Sequence, residues 1–208
     1  MKHLLVFAHS FLEPVVNATV GNGYTDHDPL ITFNEHPNHK YAEYTEYGYD
    51  QHTMSGTAEH GTAWSFRINT KHHDYICEHI DFDKITDFVM VYHPEVKMHD
   101  YEYWANKTRA KIWIAVPWNT HPRDHKDQTT YNFPDYNVIH YGALAYDLLE
   151  RGVDPDILFT DQVGHPTPHL SDLCRQYVRY HILSTEPKNP IIISRVHKNL
   201  AEKLQTNQ

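Results

Sequence analysis

Short, nearly unbroken apolar runs separated by helical patterns constrain the fold of this chain more than any other feature. The runs at residues 3–8, 85–92 (ITDFVMVY) and 111–118 (KIWIAVPW) lack the in–out alternation of a half-exposed strand. Such runs suit strands covered on both faces, as in a parallel sheet. Residues 156–160 (DILFT) read as a fourth, shorter strand. Helical spacing predicts helices over 74–80, 101–109, 137–151, 169–183 and 194–204. The stretch 137–151 runs into Gly152, a suitable C-cap, and 169–183 places Leu170, Leu173, Cys174, Tyr177, Val178 and His181 on one face. Buried strands alternating with helices predict an α/β domain with a mostly parallel sheet.

The segment 21–61 breaks the pattern. It is rich in Tyr, His, Asn, Asp and Gly and has little apolar periodicity. It reads as a long loop or insertion over the carboxyl edge of the sheet, where α/β proteins bind ligands. No repeat or composition shift marks a second domain, and the 208 residues suffice for one core, so a single domain over 1–208 is expected.

Charge and cysteine content narrow the partners. Lys and Arg total 18 against 27 Asp and Glu, a formal charge of −9. Nucleic acids and anionic membranes attract clustered cations, so neither is an expected partner. No apolar stretch reaches the ~20 residues of a membrane span, and the first residues read as a strand rather than a secretion signal. Two cysteines, Cys77 and Cys174, fit a reducing compartment, so a cytoplasmic location is expected. The 19 histidines are spread along the chain, and full protonation would move the formal charge from −9 to +10.

Two segments combine reactive side chains with a suitable context. Ser10 directly follows the first strand, where a hydroxyl would be exposed beside backbone N–H groups. Residues 160–168 (TDQVGHPTP) place Asp161 and His165 in the loop before a long helix. A serine becomes nucleophilic when a base takes its proton, and the base works best when a carboxylate holds its other nitrogen. Ser10, His165 and Asp161 supply those three roles if the loops converge. The plainer reading of each is turn and capping chemistry, since Ser and Asp favour helix starts and turns.

The order of these segments resembles the SGNH (GDSL-like) hydrolases. Ala8-His9-Ser10-Phe11-Leu12 resembles that family's nucleophile motif, and residues 156–180, with Asp161 and His165-Pro166-Thr167, resemble its last block. The resemblance implies a flavodoxin-like, three-layer α/β/α sandwich and acyl transfer on Ser10, with no cofactor and no catalytic metal. It implies an oxyanion site from the Ser10 N–H, a Gly56 or Gly61 N–H, and Asn119. Substrate contacts would come from Trp118 and from the segment 21–61, whose polar aromatic character suits a small or carbohydrate-linked ester. The sequence departs from the pattern at three places. Ser10 is preceded by Ala8-His9 instead of a Gly-Asp pair. The family's acid lies three residues before its histidine, which here is Gln162, and its third-block asparagine is replaced by His93-Pro94-Glu95.

Three other readings remain open on the sequence. The opening residues also resemble the first strand and phosphate loop of flavodoxin-like quinone reductases, which would bring FMN and a nicotinamide donor. The pairs His121/His125 and His165/His169 have zinc-binding spacing, although each brackets a proline and so is not expected on one helical face. The displaced acid also fits an SGNH-like binding protein that has lost catalysis.

Overall fold

The computed structural model describes residues 4–8, 31–32, 53–58, 61–67, 77, 80–92, 98–119, 121–122, 133–184 and 186–206. Its sheet contains β1 (Leu4–Ala8), β2 (Ile31–Thr32), β3 (Thr53–Ala58), β4 (Gly61–Arg67), β5 (Asp87–Val91), β6 (Lys111–Ala115) and β7 (Asn137–Ile139). Their spatial order is β2-β3-β4-β1-β5-β6-β7.

Strands β4, β1, β5, β6 and β7 are all parallel. Taken in chain order, these five run 2-1-3-4-5, the flavodoxin-like arrangement. The chain moves from β1 outward to β4 and then crosses back to β5. Beyond β4, β3 and β2 add antiparallel strands to that edge. The described residues of the segment 21–61 are strand, which corrects the loop half of its reading as a loop or insertion. Its period-2 signal is weak because β3 carries only Thr, Met, Ser, Gly and Ala.

The apolar runs become the central strands for the reason their composition suggests. Leu4, Leu5, Val6 and Phe7 of β1 are buried, as is every residue of β5. Removing each large side chain from water stabilises the fold by about 1.5–3 kcal/mol. The pairing register places Leu5, Phe88 and Ile112 on one face, followed by Phe7, Met90 and Ile114. Helix α1 (Met98–Ala105) covers this face: the Trp104 ring meets Phe7 edge-on at 4.9 Å, and Phe7 meets Phe88 at 5.0 Å. The Tyr101 hydroxyl also donates to the carbonyl of Val91.

The other face carries Val89, Val91, Trp113 and Ala115. There the buried Asp87 carboxylate accepts the Trp113 indole N–H at 3.1 Å and the Thr86 hydroxyl at 3.0 Å. Lys111 lies over the Trp113 ring and is near enough to His181 for its charge to act on that imidazole. His181 belongs to α4 (Pro168–Leu183), so helices flank the sheet on both sides.

Helix α2 (Ala143–Glu150) and α5 (Pro190–Thr206) are joined by a charged pair. Asp147, 7% exposed, receives both Nε and an Nη of Arg195. Arg151, one turn along α2, approaches the same carboxylate at 3.3 Å.

Two expected elements are corrected. Residues 137–139 of the expected helix 137–151 form β7, where Val138 and Ile139 extend the ladder beside β6. The chain then turns at His140, Tyr141 and Gly142 before α2 begins. Gly142 is required by space: a Cβ there would lie 2.3 Å from the Pro117 carbonyl carbon and the Trp118 nitrogen. The expected strand 156–160 is instead α3 (Pro155–Leu158). Asp154 caps it by accepting the Asp156 N–H, and Pro155 supplies a preset φ at its first position. Only Phe159 pairs as strand, in a single bridge to Pro166.

The other expected helices shift or lengthen. Residues 101–109 correspond to α1, 169–183 to α4, and 194–204 to α5, which starts earlier at a proline. Of 74–80, Cys77 is helical, Ile80 is not, and the rest lie outside the described residues.

Candidate functional site

The segment between α3 and α4 closes on itself. Phe159 and Pro166 form the antiparallel bridge, and the Thr160 N–H donates to the His165 carbonyl at 2.8 Å. Thr167 completes the closure twice: its N–H reaches the Leu158 carbonyl, and its hydroxyl reaches that of Ile157 at 2.7 Å. Thr167 also caps α4, with Pro168 following.

Inside this turn Asp161 binds His165. Oδ2 of Asp161 lies 2.6 Å from Nδ1 of His165. Oδ1 accepts two backbone N–H groups, from Gly164 at 2.8 Å and from His165 at 3.1 Å. One carboxylate thus fixes both the imidazole and the peptide that carries it. Partial burial pushes the Asp161 pKa upward, but the hydrogen bonds from His165 and the two N–H groups outweigh it. The net shift is downward, so the group is a carboxylate at neutral pH.

A carboxylate only accepts, so Nδ1 of His165 donates to it, and in the neutral imidazole the lone pair then sits on Nε2. That is the tautomer a general base needs. The side chains are 38% exposed for His165 and 44% for Asp161, which leaves the pair accessible to a small molecule.

The extra residue between acid and histidine is taken up by Gly164. Its φ is +108°, a backbone region that side chains rarely adopt. A Cβ there would also come within 2.7 Å of Pro122 Cδ and 3.1 Å of the Trp118 indole nitrogen. The glycine lets the turn tighten until a five-residue Asp-to-His segment presents the acid to Nδ1. The signal was in the sequence, since a glycine just before His165 marks a turn.

The loop after β6 braces this turn from below. The Trp118 indole N–H donates to the Gly164 carbonyl at 2.7 Å, and the His121 N–H donates to the Val163 carbonyl at 3.0 Å. His121 itself holds a left-handed backbone, φ 56°. Asn119 donates its N–H to the Tyr146 hydroxyl at 3.0 Å, which ties the loop to α2. This second brace, through Tyr146, has no sequence signal, because an aromatic residue in α2 reads as core.

Trp118 is therefore corrected from substrate contact to support. It is 2% exposed and packed between the Tyr141 and Phe159 rings. Asn119 lies in the same loop, and its backbone N–H is engaged by the Tyr146 hydroxyl.

Gly56 and Gly61 are corrected as oxyanion donors. Neither precedes a helix: Gly56 lies in β3 opposite Ala63, and Gly61 opens β4. Ala63 in turn pairs with Leu4, the first residue of β1, while Arg67 pairs with Ala8. Four residues of strand, about 13 Å, separate the Gly56 level from the carboxyl end of β1. Gly61 is farther still. Both sit toward the amino edge of the sheet, away from the loops that follow β1 and β6.

Ser10 lies outside the described residues, as do His93-Pro94-Glu95, His125 and most of 21–61. The phosphate loop of the flavin reading would likewise follow β1, outside them. Of the zinc-spaced pairs, His165 lies in the turn and His169 is exposed in the first turn of α4. Among the described residues no group of three or more His, Cys, Asp or Glu is placed to hold a metal ion. Nor is any described helix long and apolar enough to cross a membrane. No protein-family model, curated protein or solved structure matches this chain.

Proposed function

We propose that this chain is a serine ester hydrolase acting on a small or carbohydrate-linked ester, with Ser10 as nucleophile, His165 as base and Asp161 as its orienting acid. The observation that carries the reading is the 2.6 Å contact between Asp161 and Nδ1 of His165. It sits beside the loop that follows β6, at the carboxyl edge of a flavodoxin-ordered sheet. Ligands of such sheets bind at that edge, near the point where the strand order reverses, here between β1 and β5.

Topology also favours convergence. Strands β1 and β6 are separated only by β5, so their carboxyl ends lie about 10 Å apart. Ser10 is two residues beyond Ala8, a chain reach of up to about 7 Å. Catalysis requires the chain after β1 to bring Ser10 toward the turn braced on the β6 loop.

The reaction would run in two halves. The Ser10 hydroxyl oxygen bonds to the ester carbonyl carbon as Nε2 of His165 takes its proton. Collapse of the tetrahedral adduct breaks the carbon–oxygen bond to the alcohol, which leaves with the proton from His165. Water then attacks the acyl-serine by the same route, releasing the acid and restoring Ser10. Asp161 holds the tautomer and stabilises the imidazolium. The Ser10 N–H and the Asn119 side chain are the candidate oxyanion donors, each worth about 3 kcal/mol of barrier if aligned.

The test is hydrolysis of short p-nitrophenyl esters together with fluorophosphonate labelling, using the wild type and Ser10→Ala. Turnover and labelling that both vanish in the variant support the proposal. A wild type that neither turns over nor labels overturns it.

A further inference from the structure

Two histidines meet on α4 and α5, away from the Asp161 turn. His181 near the end of α4 and His197 in α5 meet with their Nε2 atoms 2.8 Å apart. Their rings are nearly stacked, with centroids 4.6 Å apart and planes inclined by 30°. Tyr177 and Tyr180 of α4 flank both: Tyr177 lies 4.7 Å from His181 and 5.7 Å from His197, and Tyr180 lies 5.5 Å and 5.9 Å from them. From β6, the Lys111 ammonium adds a positive charge. Among the described residues, the charges acting on His181 are those of His197 and Lys111, both of which disfavour an imidazolium there.

Two imidazoles at this distance share one proton: one Nε2–H donates and the other Nε2 accepts. A single added proton keeps that hydrogen bond. A second leaves two N–H donors and two positive charges face to face, beside the Lys111 ammonium. We propose that His181 and His197 form an acid-sensitive latch that fastens the C-terminal helix α5 to α4.

Burial, then the proximity of His197 and Lys111, pushes the His181 pKa down to about 4. The ordinary value, about 6.5, applies once the helices part. The parted state therefore binds one more proton below about pH 6.5, and each further pH unit weakens the latch by up to about tenfold until about pH 4. Above pH 6.5 the latch is at full strength. The Asp147–Arg195 pair fastens another part of α5 to α2, so the histidine latch holds one side of the helix and this pair the other.

The experiment is amide hydrogen exchange of α5 and α2, corrected for intrinsic rates, at about pH 7.5 and pH 5. The wild type is compared with His181→Gln/His197→Gln, whose amides can still bond but cannot titrate. The expected result is an α5 protection loss of about 30-fold in the wild type, from 1.5 pH units below the unperturbed value, with α2 unchanged. The double variant should show no such loss. No loss in the wild type, or equal loss in both proteins, overturns the proposal. If the variant does not fold, NMR titration of the wild-type His181 imidazole decides: no proton uptake by pH 5 supports the latch, and uptake near the ordinary value overturns it.

Discussion

The Trp118 indole N–H donates to the carbonyl of Gly164 at 2.7 Å, so the loop after β6 and the turn holding Asp161 and His165 form one braced unit. The acceptor is the residue directly before the histidine. A shift of that carbonyl passes to the imidazole through one peptide.

Trp118→Phe keeps most of the ring packing and removes the donor. The lost hydrogen bond and the unsatisfied buried carbonyl should destabilise the protein by about 1–3 kcal/mol. If His165 shifts by as much as 1 Å, ester turnover falls by up to about 10²-fold. Thermal melting and kcat measured on the same preparation check both, and an unchanged kcat would show that the brace does not position the base.

Gly164→Ala must adopt a positive φ and fit a methyl group against Pro122. Strain of this kind costs about 1–3 kcal/mol. Urea unfolding should show the loss in the midpoint with the slope unchanged.

Asp161→Asn retains the shape but offers an amide to Nδ1. The imidazole can then bond in the tautomer that buries its lone pair against the amide, and turnover should fall by about 10³- to 10⁴-fold with little change in KM. Stability gives a second readout. The folded Asp161 pKa is lowered, so the contact stabilises the protein above the unfolded carboxyl pKa of about 3.9, and that contribution is lost as pH falls through the folded value. Because the carboxylate is 44% exposed, the effect should stay below about 1 kcal/mol. Urea midpoints of both proteins at pH 7 should thus differ slightly and draw together as the pH falls below the unfolded carboxyl value.

Arg195→Leu leaves Asp147 buried beside only the more distant Arg151. Removing one member of a buried pair costs about 3–5 kcal/mol, whereas replacing both is often near neutral. Asp147→Leu/Arg195→Leu should therefore recover much of what the single variant loses. Equilibrium unfolding of the three proteins tests this, and a double variant no better than the single one would contradict it.

The parts of the fold legible in the sequence are those whose burial is uniform. Leu4 to Phe7 and Phe88 to Val91 are apolar because both faces are covered, and α4 is legible through its apolar stripe Leu170, Leu173, Cys174, Tyr177 and Val178, although Ser171, Arg175, Gln176 and Arg179 are buried beside it. β7 was hidden because Asn137 to Ile139 adjoins a true helix, and only pairing with β6 distinguishes three extended residues from a first turn. The sequence misleads at 156–160 because Asp154 and Pro155 start a helix as effectively as Ile157 and Phe159 suggest a strand. At the site, Asp161 and His165 were legible by residue type and loop position. The wrong edge for Gly56 and Gly61 follows from strand direction, which composition does not encode.

Gly142 separates folding from chemistry. Its missing side chain is what allows β7 and α2 to meet the Pro117–Trp118 peptide, and no reacting group is involved. In a saturation library sorted only for soluble expression, position 142 should be swept clean of every replacement, alanine included, while His165 tolerates many. Sorted for ester turnover, both positions should be depleted. Residue 142 thus serves as an internal control for any variant of this chain that loses activity.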